Sequence, residues 1–300
     1  MLPAYLALAA AVAGIAWSAI FVRWAAVPGP VSAFYRVLIA AAVLIPWWVA
    51  KRGREGGGRG QARSGGRGRR RSMWIAIAGG VFFALDLALW NTAVLQTQAA
   101  IAAVLGNNTP IFVGLMSWAL FRRRPRASFW TGLVLAAAGC VLVMSVNLKG
   151  GPAALGSLRG DLLALAASVF FAAYLITTER VRASMDTLTF STLAIVGSVA
   201  ALLVICLVLR LPLSGYPPRT WAALAGLGLV SQLAAYYALV YALGHLPATV
   251  TSVGLLAQVP CTAILAALLL GDPLTPVQIA GGAVVLAGIY VVNRGGVPSA

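Results

Sequence analysis

Titratable and metal-binding side chains are scarce in this sequence. One histidine, three cysteines and six carboxylates are spread over 300 residues, and their placement removes several function classes at once. A membrane-embedded enzyme needs a nucleophile with its base, or a set of metal ligands, at a shared depth. Here Asp86 is the lone carboxylate deep in an apolar run and His245 sits in a short turn, so no catalytic residue, metal ligand or cofactor site is expected. Cys140, Cys206 and Cys261 fall singly inside apolar runs, without the paired spacing of a disulfide framework or metal site, and read as small packing residues. Charge is lacking too: Asp, Glu, Lys and Arg make up 9% of the chain, against roughly a quarter in a soluble domain. That excludes a soluble fold.

What remains is apolar, 61% of all residues. These residues form ten runs, at 4–24, 31–50, 73–96, 99–121, 127–147, 160–178, 187–209, 220–242, 247–270 and 275–293. Each is near the ~20 residues that cross the hydrocarbon core as a helix. Lipid supplies no hydrogen-bond partners, and continuous rather than alternating hydrophobicity selects helices over a barrel. The first run is too long for a cleavable signal and lacks a basic leader, so it counts as segment one.

Orientation follows from the basic residues. Segments two and three are joined by "KRGREGGGRGQARSGGRGRRRS" (51–72), with nine Lys or Arg against one Glu, and segment four is followed by "RRRPR". Placing both tracts in the cytoplasm puts 16 basic residues inside and five outside, with Arg36 left within segment two; this is the bias of the positive-inside rule, with both termini cytoplasmic. The tract buries no apolar surface, so it reads as disordered. Anionic lipid headgroups are its expected partners, and no nucleic acid is needed to explain it.

Internal similarity divides the chain. "AYLALAAAVAGIAW" (4–17) matches "DLLALAASVFFAAY" (161–174), placing Trp17 opposite Tyr174, and "LGNNTPIFVGLMSWAL" (105–120) matches "LLAQVPCTAILAALLL" (255–270), aligning Asn108 with Gln258 and Pro110 with Pro260. Two halves of five segments follow: residues 1–147, an external linker 148–159, and residues 160–300. Because five is odd, the second half enters the membrane from the opposite side. The expected fold is therefore an all-α membrane protein of ten transmembrane helices, arranged as two inverted five-helix repeats around a central cavity. In carriers of this build the substrate sits near the midplane between the halves.

Polar residues inside the runs mark the candidate site. Arg36 lies ~9 Å and Asp86 ~15 Å from the outer end of their segments, at about 1.5 Å per residue. A guanidinium stem spans that difference, so an Arg36–Asp86 ion pair is expected, holding two helices together or engaging a zwitterion. Trp90 follows Asp86 by one turn, with Asn91 beside it, and Gln232 with Tyr236 repeats the polar–aromatic spacing in segment eight. Trp17, Tyr174 and Tyr237 are the other deep aromatics, and an amphipathic cavity walled by these rings would suit a large apolar or aromatic side chain. Asn108 and Gln258 add uncharged amides two residues before Pro110 and Pro260, which can kink their helices and serve as gates. Segments five and ten carry Gly and Ala at close-packing spacings in "GLVLAAAG" and "GGAVVLAG"; they read as supporting helices, in a monomer or a homodimer joined there.

"GIAWSAIFVRW" from Gly14, with Trp17 and Ser18, Arg36 in segment two, Pro110, and the closing "LPATVTSVGLLAQVPCTAILAALLLGDPLTPVQIAGGAVVLAGIY" resemble the EamA-type branch of the drug/metabolite transporter superfamily over nearly the whole chain. In the first half "FRRRPRASFWTG" departs from the acidic turn of that pattern, and Asp86 is not a position the pattern supplies. The resemblance implies a secondary transporter in a bacterial inner membrane, exporting small metabolites by alternating access. Together with the deep aromatics it points to amino acids with large or aromatic side chains. A drug or nucleotide-sugar carrier of the same superfamily is the alternative, and a membrane scaffold without transport a remote one.

Overall fold

In a computed structural model, residues 2–55, 66–96, 105–122, 124–145, 158–270 and 275–294 are described, and among them every regular element is helical. The first apolar run forms α1 (Leu2–Ala16) and α2 (Ser18–Ala25), separated by a single-residue break at Trp17. Then come α3 (Gly29–Glu55), α4 (Gly66–Gln96), α5 (Thr109–Phe121), α6 (Ala127–Ser145), α7 (Leu158–Arg182) and α8 (Thr187–Val208). The eighth run is α9 (Pro218–Gly226), a π-helical stretch Leu227–Ala234 and α10 (Ala235–Leu243). The ninth is α11 (Ala248–Gly254), a 3-10 turn Leu255–Ala257 and α12 (Gln258–Leu270), and α13 (Pro276–Arg294) is the last. Eight of these spans are long and apolar enough to cross a membrane, while Thr109–Leu120 and Ala127–Val143 are shorter apolar helices.

Two sequence expectations change. The basic tract 51–72 is not structureless throughout: Lys51–Glu55 continues α3, and Gly66–Ser72 begins α4. Adding a residue to a formed helix needs no new nucleus, and Lys and Arg have good helix propensity, so the spans run past the apolar boundary. In the fourth run Leu105 and Gly106 are helical, the chain turns at 107–108, and α5 starts at Thr109; residues 97–104 lie outside the described segments. The linker's residues 146–157 and the stretch 271–274 lie outside them as well.

The helices have two distinguishable ends. At the basic end, Tyr5 of α1 reaches Asn293 of α13 (3.5 Å), Trp48 Nε1 donates to Thr189 Oγ1 (3.2 Å), and the Ser72 and Ser184 hydroxyls meet at 3.4 Å. At the far end, Thr220 Oγ1 donates to Ala25 O (3.0 Å), Asn91 Nδ2 to Gly29 O (2.9 Å) and Cys206 Sγ to Pro30 O (3.5 Å). These contacts set α3 antiparallel to α8 and bring the start of α1 to the same end as the close of α13.

Packing repeats across the chain. The first span packs on the eighth as α4 packs on α7, α3 packs on the eighth as α4 packs on α8, and α3–α8 and α6–α13 pair directly. Glycines make the closest crossings. A Cβ on Gly80 would lie 1.8 Å from Ala194 O, and one on Gly197 2.3 Å from Ile77 O, so α4 and α8 touch backbone to backbone. The small faces of segments five and ten likewise meet each other within the chain, antiparallel. A Cβ on Gly132 would be 2.6 Å from Gly288 O, and one on Gly139 2.6 Å from Val285 N.

Candidate functional site

The site is built around Arg36, which is 4% exposed. Its Nε donates to Gln232 Oε1 at 2.8 Å, its Nη1 to Ser18 Oγ at 3.4 Å, and its guanidinium carbon lies 5.4 Å from the centre of the Tyr236 ring. Nη2 is buried with no hydrogen-bond partner. Gln232 and Ser231 sit in the π-helical stretch, a widening that often marks functional positions. There Ser231 Oγ donates to Gly14 O (2.8 Å) while Gln232 turns to Arg36, so one short stretch holds both the first span and α3.

The expected Arg36–Asp86 ion pair is not formed: among the described residues no ion pair within 4.0 Å involves either side chain. Gln232 explains the outcome. An amide oxygen gives the guanidinium a strong acceptor without removing a second full charge from water, a cost that often cancels a buried ion pair. Asp86 stays near enough to act on Arg36 electrostatically. One turn before Asp86, Phe83 packs at 4.9 Å from Tyr174 and 4.7 Å from Tyr236, centre to centre. These rings, with Tyr237, Ser191 and Gln232, line a narrow cavity of about 20 Å³, room for little more than one water molecule. The Ser191 hydroxyl is also buried without a partner.

Of the candidates from the sequence, Tyr174, Gln232, Tyr236 and Tyr237 line this cavity, and Arg36 is held by two of its lining residues. Others are placed elsewhere. Trp90 lies over Gly106, packed with Leu105 and Leu163 around Ala93 and Ala164. Asn91 ties α4 to the start of α3 through Gly29 O and Ser32 Oγ. Trp17 stacks on Phe21 (5.7 Å), while its neighbour Ser18 is the residue that reaches Arg36. Gln258 Nε2 donates at 3.4 Å to Asn107, not to the aligned Asn108, whose own amide donates to Leu105 O at 3.0 Å.

The EamA-like transporter family matches residues 2–145 and 158–294. The chain belongs to that family. An uncharacterized transporter of Bacillus subtilis (strain 168), YwfM, is 30% identical over 209 residues, covering 68% of each chain, and one of Archaeoglobus fulgidus is 28% identical over 269 residues, covering 86% of each. A solved structure described as "Crystal structure of protein" superimposes with a TM-score of 0.76 over 97% of both chains at 20% identity, a likeness of fold alone. The protein is thus an integral membrane transporter of the drug/metabolite superfamily.

In this EamA-like transporter the two prolines act differently from simple mid-helix kinks. Pro110 sits in the first turn of α5, where a missing N–H costs little, and Pro260 follows a 3-10 turn at the start of α12. Each leaves the carbonyl four residues back without its helical donor. Both carbonyls find side chains: Thr109 Oγ1 donates to Gly106 O (3.1 Å), and the Cys140 thiol approaches Leu256 O (4.0 Å). Cys140 therefore does more than fill space. Phe83 and Ser191 were not among the sequence candidates. Phe83 was legible, lying three residues before Asp86 and hence on its helical face; Ser191 carries no local signal, because only the crossing of α8 with α4 brings it inside.

Proposed function

We propose that this EamA-like transporter exports small amphipathic metabolites, foremost amino acids with large or aromatic side chains, by alternating access in a bacterial inner membrane. The observation that carries the reading is the buried arginine whose Nη2 has no hydrogen-bond partner, set near an unpaired carboxylate and an aromatic cavity. A desolvated donor without a partner is costly, and a carboxylate ligand would relieve that cost with a charge-assisted bond. Asp86 is the complementary partner for an ammonium, and Phe83, Tyr174 and Tyr236 offer apolar faces for the side chain. Ten spans in two inverted halves, with cytoplasmic termini, fit the antiparallel pairing of α3 with α8 and of α6 with α13, the segments that the internal repeat equates. In this reading the chemistry is binding and release, with no catalytic step.

Reconstituted protein should export L-phenylalanine or L-tryptophan from liposomes, and Arg36→Gln and Asp86→Asn should each cut that flux at least about tenfold, the loss of one charge-assisted contact. Unchanged flux in both variants would reduce the pair to helix staples. A thermal-shift screen against amino acids, nucleotides and cationic drugs checks the class, since a ligand at about 100 times its Kd stabilises the folded state by about 2.7 kcal/mol. Stabilisation by quaternary ammonium compounds alone would overturn the amino-acid reading.

A further inference from the structure

The aromatic cavity, at about 20 Å³, is matched in size to one water molecule, which needs roughly 10–15 Å³ and two to four polar partners. Nine of its eleven lining residues are buried, so the space lies within the protein. An apolar hole stays dry. Besides its tyrosines, this one is lined by three polar side chains: Ser191 and Ser198 on α8 and Gln232 in the π-helical stretch.

Ser191 departs from its neighbours. A hydroxyl inside a helix can bond the carbonyl four residues back, and on α8 Thr192 Oγ1 donates to Leu188 O at 2.8 Å and Ser198 Oγ to Ala194 O at 3.0 Å. Ser191, 8% exposed, makes no such bond, and its hydroxyl is buried without a partner. An unpaired buried hydroxyl is costly, and in folded proteins such groups are met by protein or by ordered water. Ser198 commits its one hydrogen to Gly80 O (2.7 Å) or Ala194 O, which leaves its oxygen lone pairs to accept. Gln232 supplies donors: its Oε1 accepts from Arg36 Nε, and its amide nitrogen makes no hydrogen bond among the described residues. The lining thus brings a donor, an acceptor and a hydroxyl that can be either around a space of one water.

We infer that the cavity is a binding site for one water molecule, held by Ser191, Ser198 and the Gln232 amide nitrogen, and that this water keeps Gln232 Oε1 turned to Arg36. An amide presents an acceptor at one end and donors at the other, and a partner at each end fixes which way it faces. Ser191, which makes no hydrogen bond to Arg36, thereby becomes a positioning residue for the guanidinium, acting through the water and Gln232.

X-ray radiolysis makes hydroxyl radicals from water wherever it lies, whereas laser photolysis of peroxide makes them in bulk solvent. In the full chain in maltoside micelles, the buried rings of Phe83, Tyr174 and Tyr236 should be oxidised by the first source and spared by the second. Ser191→Val, which removes the hydroxyl and fills the space, should abolish that oxidation. No oxidation on radiolysis, equal oxidation by both sources, or oxidation that persists in Ser191→Val would each overturn the site. Unfolding in dodecyl sulfate supplies a sign. In a dry cavity Ser191→Ala deletes an unpaired hydroxyl and leaves stability equal or higher; with water bound it should lower the folded-to-unfolded ratio about two- to twelvefold, the net worth of one hydrogen bond. A ratio at or above wild type overturns the water. Combined with Gln232→Leu, the effect of Ser191→Ala should depart from additivity by at least about twofold, as for residues in one hydrogen-bond network; strict additivity would overturn the positioning role. None of these measurements reads transport, so the water site stands if no amino acid is exported, and an amino-acid flux does not rescue it.

Discussion

Replacing Gln232 by Leu isolates the contact on which the site's architecture rests. Arg36 Nε donates to Gln232 Oε1 at 2.8 Å, a hydrogen bond to a charged group worth about 1.5–3 kcal/mol. The remaining partners cannot replace it. Ser18 accepts at 3.4 Å, beyond the favourable range, and the Tyr236 face lies 5.4 Å away, adding up to about 2 kcal/mol in either variant. Removing one partner of a buried charge costs about 3–5 kcal/mol, and the lower end applies because Tyr236 and Asp86 still attract the guanidinium. Gln232→Leu should therefore destabilise the fold by about 3 kcal/mol, on the order of a hundredfold in the unfolding equilibrium. Tryptophan fluorescence during dodecyl sulfate unfolding in maltoside micelles measures this. The decisive comparison is Arg36→Met/Gln232→Leu, which removes the stranded charge and should regain about 2 kcal/mol over Gln232→Leu alone. A single variant within about 0.5 kcal/mol of wild type, or a strictly additive double variant, would refute the reasoning.

Three further outcomes follow from the packing. Gly139→Ala, whose Cβ would meet Val285 N at 2.6 Å and Gly281 O at 2.7 Å, should cost about 1–3 kcal/mol by forcing α6 from α13, whereas Gly68→Ala, with nothing within 4 Å, should be neutral or slightly stabilising in the same unfolding assay. Pro260→Ala restores an N–H opposite Leu256 O, so the 3-10 turn at Leu255–Ala257 should relax toward α-helix; thermal stability should rise while the rate of efflux falls, and unchanged efflux would remove the turn from the transport cycle. Asp186 caps α8 by accepting from Thr189 N, and its carboxyl lies below its ordinary value. Because the folded state binds that proton less readily than the unfolded state, the stabilisation is complete above the unfolded pKa of about 4 and is lost as pH falls through the folded value; scanning fluorimetry from neutral to acid pH should show this loss, and Asp186→Asn should show less of it.

The apolar runs were readable because lipid imposes one solution, a helix about 20 residues long, wherever hydrophobicity is continuous. Where a span is interrupted was also legible at Pro110 and Pro260, since a missing N–H is a local fact. The form of each interruption was not. Pro110 falls within a helix's first turn because the chain turns at Asn107 and Asn108, and Cys140 comes to Leu256 only through the contact of α6 with the ninth span. Trp90 and Asn91 looked like site residues on helical spacing, yet their face of α4 meets Gly106 and the start of α3.

Composition and periodicity by themselves determined that the chain is a helical membrane protein with Arg36 and Asp86 below the surface, because the cost of exposing backbone and charge to lipid is set residue by residue. Tertiary structure alone decided their partners. Arg36 pairs with Gln232, nearly 200 positions away, and Asp86 is left unpaired beside an aromatic cavity, since which donor meets which acceptor depends on how α3, α4 and the π-helical stretch cross, and no local pattern encodes a crossing.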